Sequence, residues 1–167
     1  MSSPQILIDF VYPYTFTTPD VCTGSALIVK GLAEEVGTIP EKGLVLYHEA
    51  EDVLTVDDRR LFQEEELPII LLDSPWQNVR VEMEKASSVL IRRRLPSVFH
   101  ATNPFYTKKN PLLYFSDNQF GTAEALAIAL FILGYRAHAM QVLNILSYKD
   151  EFLQVNGEAL SLYNSVP

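Results

Sequence analysis

Three short apolar runs constrain this chain more than any other feature. Residues 5–10 (QILIDF), 43–48 (GLVLYH) and 67–73 (LPIILLD) are rich in Ile, Leu and Val and are bounded by Pro, Gly or charged clusters. Such runs suit strands covered on both faces, which means parallel strands joined by right-handed helical crossovers. Helical patterns lie between them. Residues 22–36 carry Leu27, Ile28, Gly31 and Leu32 on one face, and residues 56–66 are polar except for Leu61 and Phe62. A further amphipathic helix over residues 79–93 is expected to turn Val81, Ala86, Val89 and Leu90 inward, with its basic end suited to the helix dipole. The alternation predicts an α/β lobe with a mainly parallel sheet over residues 1–91. From Gly121 the pattern becomes helical, over residues 122–133, 136–146 and 150–163, so residues 92–167 form a mainly helical lobe of the same compact unit. Between the two, residues 95–121 hold Pro96, Pro104 and Pro111, and a connection this long inside a compact protein is usually functional.

Composition narrows the class. With 167 residues, 48% hydrophobic and 20% charged, the chain has enough apolar side chains for one real core. Its longest unbroken apolar stretch, residues 125–133, falls far short of the about 20 residues a bilayer span requires, so no membrane helix is expected. The N-terminus lacks the basic region of a secretory signal, which predicts a cytoplasmic protein. A single cysteine, Cys22, and the scattered His48, His100 and His138 offer no metal-ligand spacing, so no bound metal is expected.

The formal net charge of −8 argues at first sight against a polyanionic partner, because nonspecific nucleic-acid affinity rests on Lys and Arg. The charge is unevenly distributed. Between Arg80 and Lys109 seven basic side chains stand against two acidic ones, a net +5, which leaves −13 for the remainder. Within this window Arg92, Arg93, Arg94, Lys108 and Lys109 alternate with Phe99, His100, Phe105 and Tyr106, a mixture that suits a phosphate backbone with stacked bases. The same residues also fit a solvated helix end followed by a loop whose aromatics plug the core.

Generic phosphate-cradling, zinc-protease and nucleophile-elbow signatures are absent. Three local features remain. Asp73-Ser74-Pro75-Trp76 puts a carboxylate and the only tryptophan at the carboxyl end of a central parallel strand, where open α/β sheets bind ligands. An ordinary turn, with Asp73 capping the next helix and Trp76 in the core, is the competing reading. Cys22-Thr23-Gly24 and Gly121-Thr122-Ala123-Glu124 each mark a helix N-terminus, where Thr23 and Thr122 either cap the helix or meet a carboxylate.

Taken in order, these pieces resemble the small-subunit ribosomal RNA aminocarboxypropyltransferases, a ribosome-biogenesis family. The resemblance rests on Cys22-Thr23-Gly24, the strand Gly43-Leu44-Val45-Leu46, the block Asp73-Ser74-Pro75-Trp76 and Arg93-Arg94-Leu95-Pro96 leading to Ala101-Thr102-Asn103-Pro104. It ends with Thr122, Glu124 and Ala125 opening a helix that stops near Gly134. Two departures stand out: the D-C-S-W block has Ser74 and Pro75 in its middle, and the paired lysines usual before C-T-G are replaced by Pro19, Asp20 and Val21. The resemblance implies a SPOUT-like fold with a deep trefoil knot and S-adenosylmethionine clasped between the lobes. It implies that Thr23 and Thr122 hold the amino-acid end of the cofactor, that backbone at Leu72, Leu95 and Asn118 holds ribose and adenine, and that Leu46 and Trp76 form apolar walls. Asp73 would face the target base, and Arg92, Arg93, Arg94, Lys108 and Lys109 would meet RNA. The implied reaction is transfer of the 3-amino-3-carboxypropyl group to N3 of an N1-methylpseudouridine or pseudouridine in small-subunit rRNA, by a cytoplasmic monomer acting on rRNA or the pre-ribosomal small subunit. A SPOUT-type methyltransferase, or a ribosome-assembly protein that binds RNA without catalysis, are the alternatives.

Overall fold

The computed structural model describes residues 3–10, 23–73, 76–103 and 120–163. The chain runs β1 (Ile6–Asp9), α1 (Thr23–Val29), β2 (Glu34–Val36), β3 (Leu44–Leu46), a 3₁₀ turn (Val56–Asp58), α2 (Arg59–Glu64), β4 (Ile69–Leu72), α3 (Trp76–Lys85), β5 (Ile91–Arg93), α4 (Thr122–Ile132), α5 (Arg136–Leu143) and α6 (Lys149–Ser161). The strands form one parallel sheet in the order β2-β1-β4-β3-β5, with β4 registered against β1 on one side and β3 on the other. The three apolar runs are therefore the three inner strands.

Each face of the sheet is covered. Ile6, Ile8, Leu44, Ile69 and Leu71 pack with Leu27 of α1 and with α4, α5 and α6 in one large core, while Val45 and Ile70 pack with Val79 and Met83 of α3 and with Leu90 in a smaller one. Helix α4 is buried from Ala123 to Ile132 apart from Ala125, which explains why its sequence shows no polar stripe: a helix enclosed all round needs none.

Two expected helices are shorter than the sequence pattern suggested. The helix expected over 22–36 stops at Val29, because Gly31 adopts a left-handed φ of 73° and closes a C-terminal turn through Gly31 N–H to Ile28 O (3.0 Å) and Leu32 N–H to Leu27 O (2.9 Å). The chain then pairs as edge strand β2, whose Glu34 and Glu35 are exposed. The helix expected over 79–93 is α3, ending at Lys85. Its inward side is Val79 and Met83, followed beyond the helix by Ala86 and Leu90, whereas Val81 and Val89 are 47% and 68% exposed. Residues 91–93 pair with β3 instead, Ile91 opposite Leu44 and Arg93 opposite Leu46, so the arginine run forms an edge strand and not a helix end. Position 91/92, expected to divide the lobes, falls inside β5.

Candidate functional site

The carboxyl ends of β1 and β4 meet the N-termini of α1 and α4, and the candidate residues gather there. The ladder continues one residue past β4 through Asp73 N–H to Asp9 O (3.0 Å). Strand alternation then sends the Asp73 side chain to the face occupied by Ile69 and Leu71, toward α1. It is 7% exposed and lies against Gly24, where an added Cβ would collide with Asp73 Oδ2. Gly24 is thus the space in which the carboxylate sits.

Thr23 is buried beside it, and its Oγ1 accepts the N–H of Ala123 at 3.0 Å, across 100 residues of sequence. The residue flanking α4 is Gly121, which has no side chain to accept from the first turn, so the hydroxyl of Thr23 caps this helix from a distance. Thr122, open by sequence to capping or to meeting a ligand carboxylate, is the first helical residue and is half-buried at the same spot. A Cβ added to Gly121 would stand 3.3 Å from Thr23 Oγ1, 3.5 Å from Glu124 Oε1 and 3.8 Å from Asn103 Nδ2, so three polar side chains ring one bare backbone position.

The floor of this arrangement was not legible from motif spacing. Glu124 is fully buried; Oε1 accepts Gly121 N–H (3.2 Å) and Oε2 accepts Thr102 N–H (3.0 Å) and the Thr102 hydroxyl (3.3 Å). Burial raises its pKa, and the donors of Thr102, Gly121 and Tyr148 pull it back. On the other side Asn156 of α6 accepts from His100 N–H (2.8 Å) and donates to His100 O (2.9 Å). Residues 100–102 are therefore clamped to α4 and α6, and the wholly buried Asn103 follows directly. The only sequence signals for this clamp were Glu124 three residues after Gly121 and the A-x-N-P motif.

Leu46 and Leu95 are half-buried against the large core, while Leu72 packs on the α3 side, which leaves its backbone and not its side chain at the edge. Trp76 opens α3; its side chain, together with Cys22, Ser74, Pro75, Lys108, Lys109 and Asn118, lies outside the described residues. Asp9, which motif reading passed over, ends β1 at 7% exposure. Its pairing with Leu72, which packs against α3, puts it on the α3 side, away from Asp73; burial first, then Glu82 and Glu35, raise its pKa. His138 is half-buried on α5, its pKa lowered by burial. No group of three His, Cys, Asp or Glu among the described residues could hold a metal ion, and no described helix is long and apolar enough to cross a membrane.

The three consecutive arginines have separate local tasks. Arg92 donates to Met83 O and Ser87 O, beside the last turn of α3. Arg93 pairs with the buried Asp58 (3.2 Å), which also accepts Thr55 N–H, and lies 3.6 Å from Asp52. Arg94 donates to Ala50 O and Glu51 O. Arg93 is therefore neutralised, whereas Arg92 and Arg94 are bonded to uncharged carbonyls and keep their full charge.

This geometry can hold an anionic group against the hydroxyl of Thr23 and the positive end of an 11-residue helix, with a carboxylate next to it. A family model described as "Ribosome biogenesis protein, C-terminal" matches residues 44–167. The 16S rRNA aminocarboxypropyltransferase of Methanopyrus kandleri is 30% identical over 148 residues, covering 87% of this chain and 82% of its own. That of Methanosarcina mazei is 28% identical over 159 residues, covering 93% and 85%. Among solved structures, the SAM-dependent rRNA:acp-transferase Tsr3 from Vulcanisaeta distributa matches with a TM-score of 0.74 at 28% identity, covering 96% of this chain and 82% of that one.

Proposed function

Because the chain belongs to the ribosome biogenesis protein family whose model it matches over residues 44–167, we propose that it is an S-adenosylmethionine-dependent rRNA aminocarboxypropyltransferase. The observation that carries the reading is the hydrogen bond from Ala123 N–H to Thr23 Oγ1, which joins two candidate ligand-binding helix ends beside Asp73. The residues present fit the cofactor. The bare position at Gly121, ringed by a hydroxyl, an amide and a carboxylate, matches an amino-acid end that carries both charges. Half-buried Leu46 and Leu95 supply apolar surface along the sheet edge.

When bound, the cofactor supplies a sulfonium whose adjacent carbons are activated, and transfer of its 3-amino-3-carboxypropyl group releases 5′-methylthioadenosine. In this reading Thr23 and Thr122 hold the amino-acid end, and Thr23 Oγ1, already accepting from Ala123, has its own O–H to donate to the carboxylate. Backbone at Leu72, Leu95 and Asn118 holds ribose and adenine; Leu46 and Trp76 exclude water and bury the carbon that is not to react. Asp73 orients the target base and takes the proton from N3 of a pseudouridine or N1-methylpseudouridine. A SPOUT-like trefoil-knotted path, with the cofactor between the parallel sheet and the helical C-terminal part, belongs to the same proposal. The all-parallel sheet and the clamped segment 100–102 support it. Action as a cytoplasmic monomer on small-subunit rRNA is also part of the proposal. Incubation with S-adenosylmethionine and small-subunit RNA lacking the modification should yield 5′-methylthioadenosine; S-adenosylhomocysteine in its place would identify a methyltransferase, and no turnover an assembly factor.

The proposed RNA surface combines Lys108 and Lys109 with Arg92 and Arg94, which meet only carbonyls among the described residues, with Arg93 as the strut that holds their strand. Changing Lys108 and Lys109 together to Gln should weaken RNA binding and reduce the slope of log K against log salt by about 1 for each phosphate no longer neutralised. Arg93→Gln should lower the melting temperature by breaking the pair with Asp58 while barely moving that slope. A double-lysine variant with the wild-type slope would remove those lysines from the interface.

A further inference from the structure

A helix N-terminus favours anions of any kind, since its amides and dipole present about half a positive charge. That is a poor match to a ligand whose net charge is positive. At the N-terminus of α4 the problem has a visible counterweight. Glu124 stands in the first turn at 0% exposure, its Oε1 bonded to Gly121 N–H and 3.5 Å from the position a Gly121 Cβ would occupy, while Thr23 Oγ1 lies 3.3 Å from that same point. Its other oxygen accepts from the backbone and the hydroxyl of Thr102. Two backbone amides and the Thr102 hydroxyl converge on the two carboxyl oxygens, and these bonds favour the charged form against the burial that raises its pKa.

Building on the proposed use of S-adenosylmethionine, we propose that Glu124 is a positioning residue whose buried negative charge makes this site prefer the cationic sulfonium over its uncharged thioether counterpart. The carboxylate neutralises the anion-seeking end of α4, the neighbouring hydroxyl of Thr23 still serves a ligand carboxylate, and the surplus negative potential of Glu124 and Asp73 favours a ligand of net charge +1. An exchange of ligands follows from the reaction itself: group transfer removes the sulfonium charge, and with it the electrostatic part of retention. At the effective dielectric of a partly buried site, one such charge term amounts to about a tenfold difference in affinity.

The test compares S-adenosylmethionine with S-adenosylhomocysteine, which differ by one methyl group and one positive charge, by calorimetry on the wild-type protein and on Glu124→Gln. The proposal expects the wild type to prefer the sulfonium and Glu124→Gln to reduce that preference by about tenfold. A Glu124→Gln variant that loses affinity for both ligands equally, or for neither, overturns it, because a purely structural clamp does not read ligand charge. A wild type that binds both ligands equally also overturns it. A wild type that binds neither removes the cofactor reading itself, a different failure. Should Glu124→Gln not fold, Glu124→Asp decides: with the charge kept and the reach shortened, both affinities should fall with the preference intact, and loss of the preference there overturns the proposal.

Discussion

Asp73→Asn is expected to bind S-adenosylmethionine nearly as tightly as wild type and to transfer the aminocarboxypropyl group about 100-fold more slowly or worse, the scale of a lost general base. The substitution keeps shape and volume, so the amide can occupy the hollow over Gly24 that the carboxylate fills. It removes only the capacity to take a proton. Binding is read by calorimetry and chemistry by release of 5′-methylthioadenosine in single turnovers, which separates the two steps. Unchanged transfer would take Asp73 out of the mechanism. A parallel loss of cofactor affinity would make it a binding residue.

Thr23→Val should have the second large effect, on two observables at once. Valine matches threonine in size but leaves the wholly buried Ala123 N–H without its acceptor. An orphaned buried amide costs about 1–3 kcal/mol, and at this chain length each kcal/mol corresponds to about 2–4 °C in melting temperature. The same hydroxyl is proposed to donate to the cofactor carboxylate, a charge-assisted bond whose loss should weaken binding about 10-fold to 100-fold. Thr23→Ser retains the oxygen and should restore both. If Thr23→Val melts early yet binds the cofactor at wild-type affinity, the hydroxyl is a helix cap and nothing more.

The inner strands could be read directly because strands buried on both faces must be largely apolar: β3 and β4 are apolar throughout, and β1 is apolar up to its terminal Asp9. The edge strands could not. Strand β2 is Glu-Glu-Val and β5 is Ile-Arg-Arg, and polar residues on a sheet margin carry no periodic signature that separates them from a frayed helix. The arginine run shows the same limit at the level of charge: its composition indicated a basic surface, but which charges are neutralised depends on Asp58 and Asp52 arriving from a preceding turn. At the site, Thr23, Asp73 and Thr122 stood out because each sits at a helix start or strand end with a side chain suited to a ligand. Gly24, Asn103 and Glu124 belonged to the same motifs, but no role could be read for them from sequence, since their part is to leave space or to anchor a neighbouring segment.

The sequence by itself determined the parallel α/β character, the helical C-terminal part, the separation of charge into a basic window and an acidic remainder, and the ordered motifs that mark the ribosome-biogenesis family. All of these follow from local composition and spacing, because burial and propensity act on contiguous residues. The tertiary structure alone decided that α4 is capped by a hydroxyl 100 residues away, that Asp73 rests on Gly24 and that Glu124 closes the floor of the site. Those pairings join residues distant in the chain, and which donor meets which acceptor is fixed only when packing has excluded water and left each buried polar group one partner within reach.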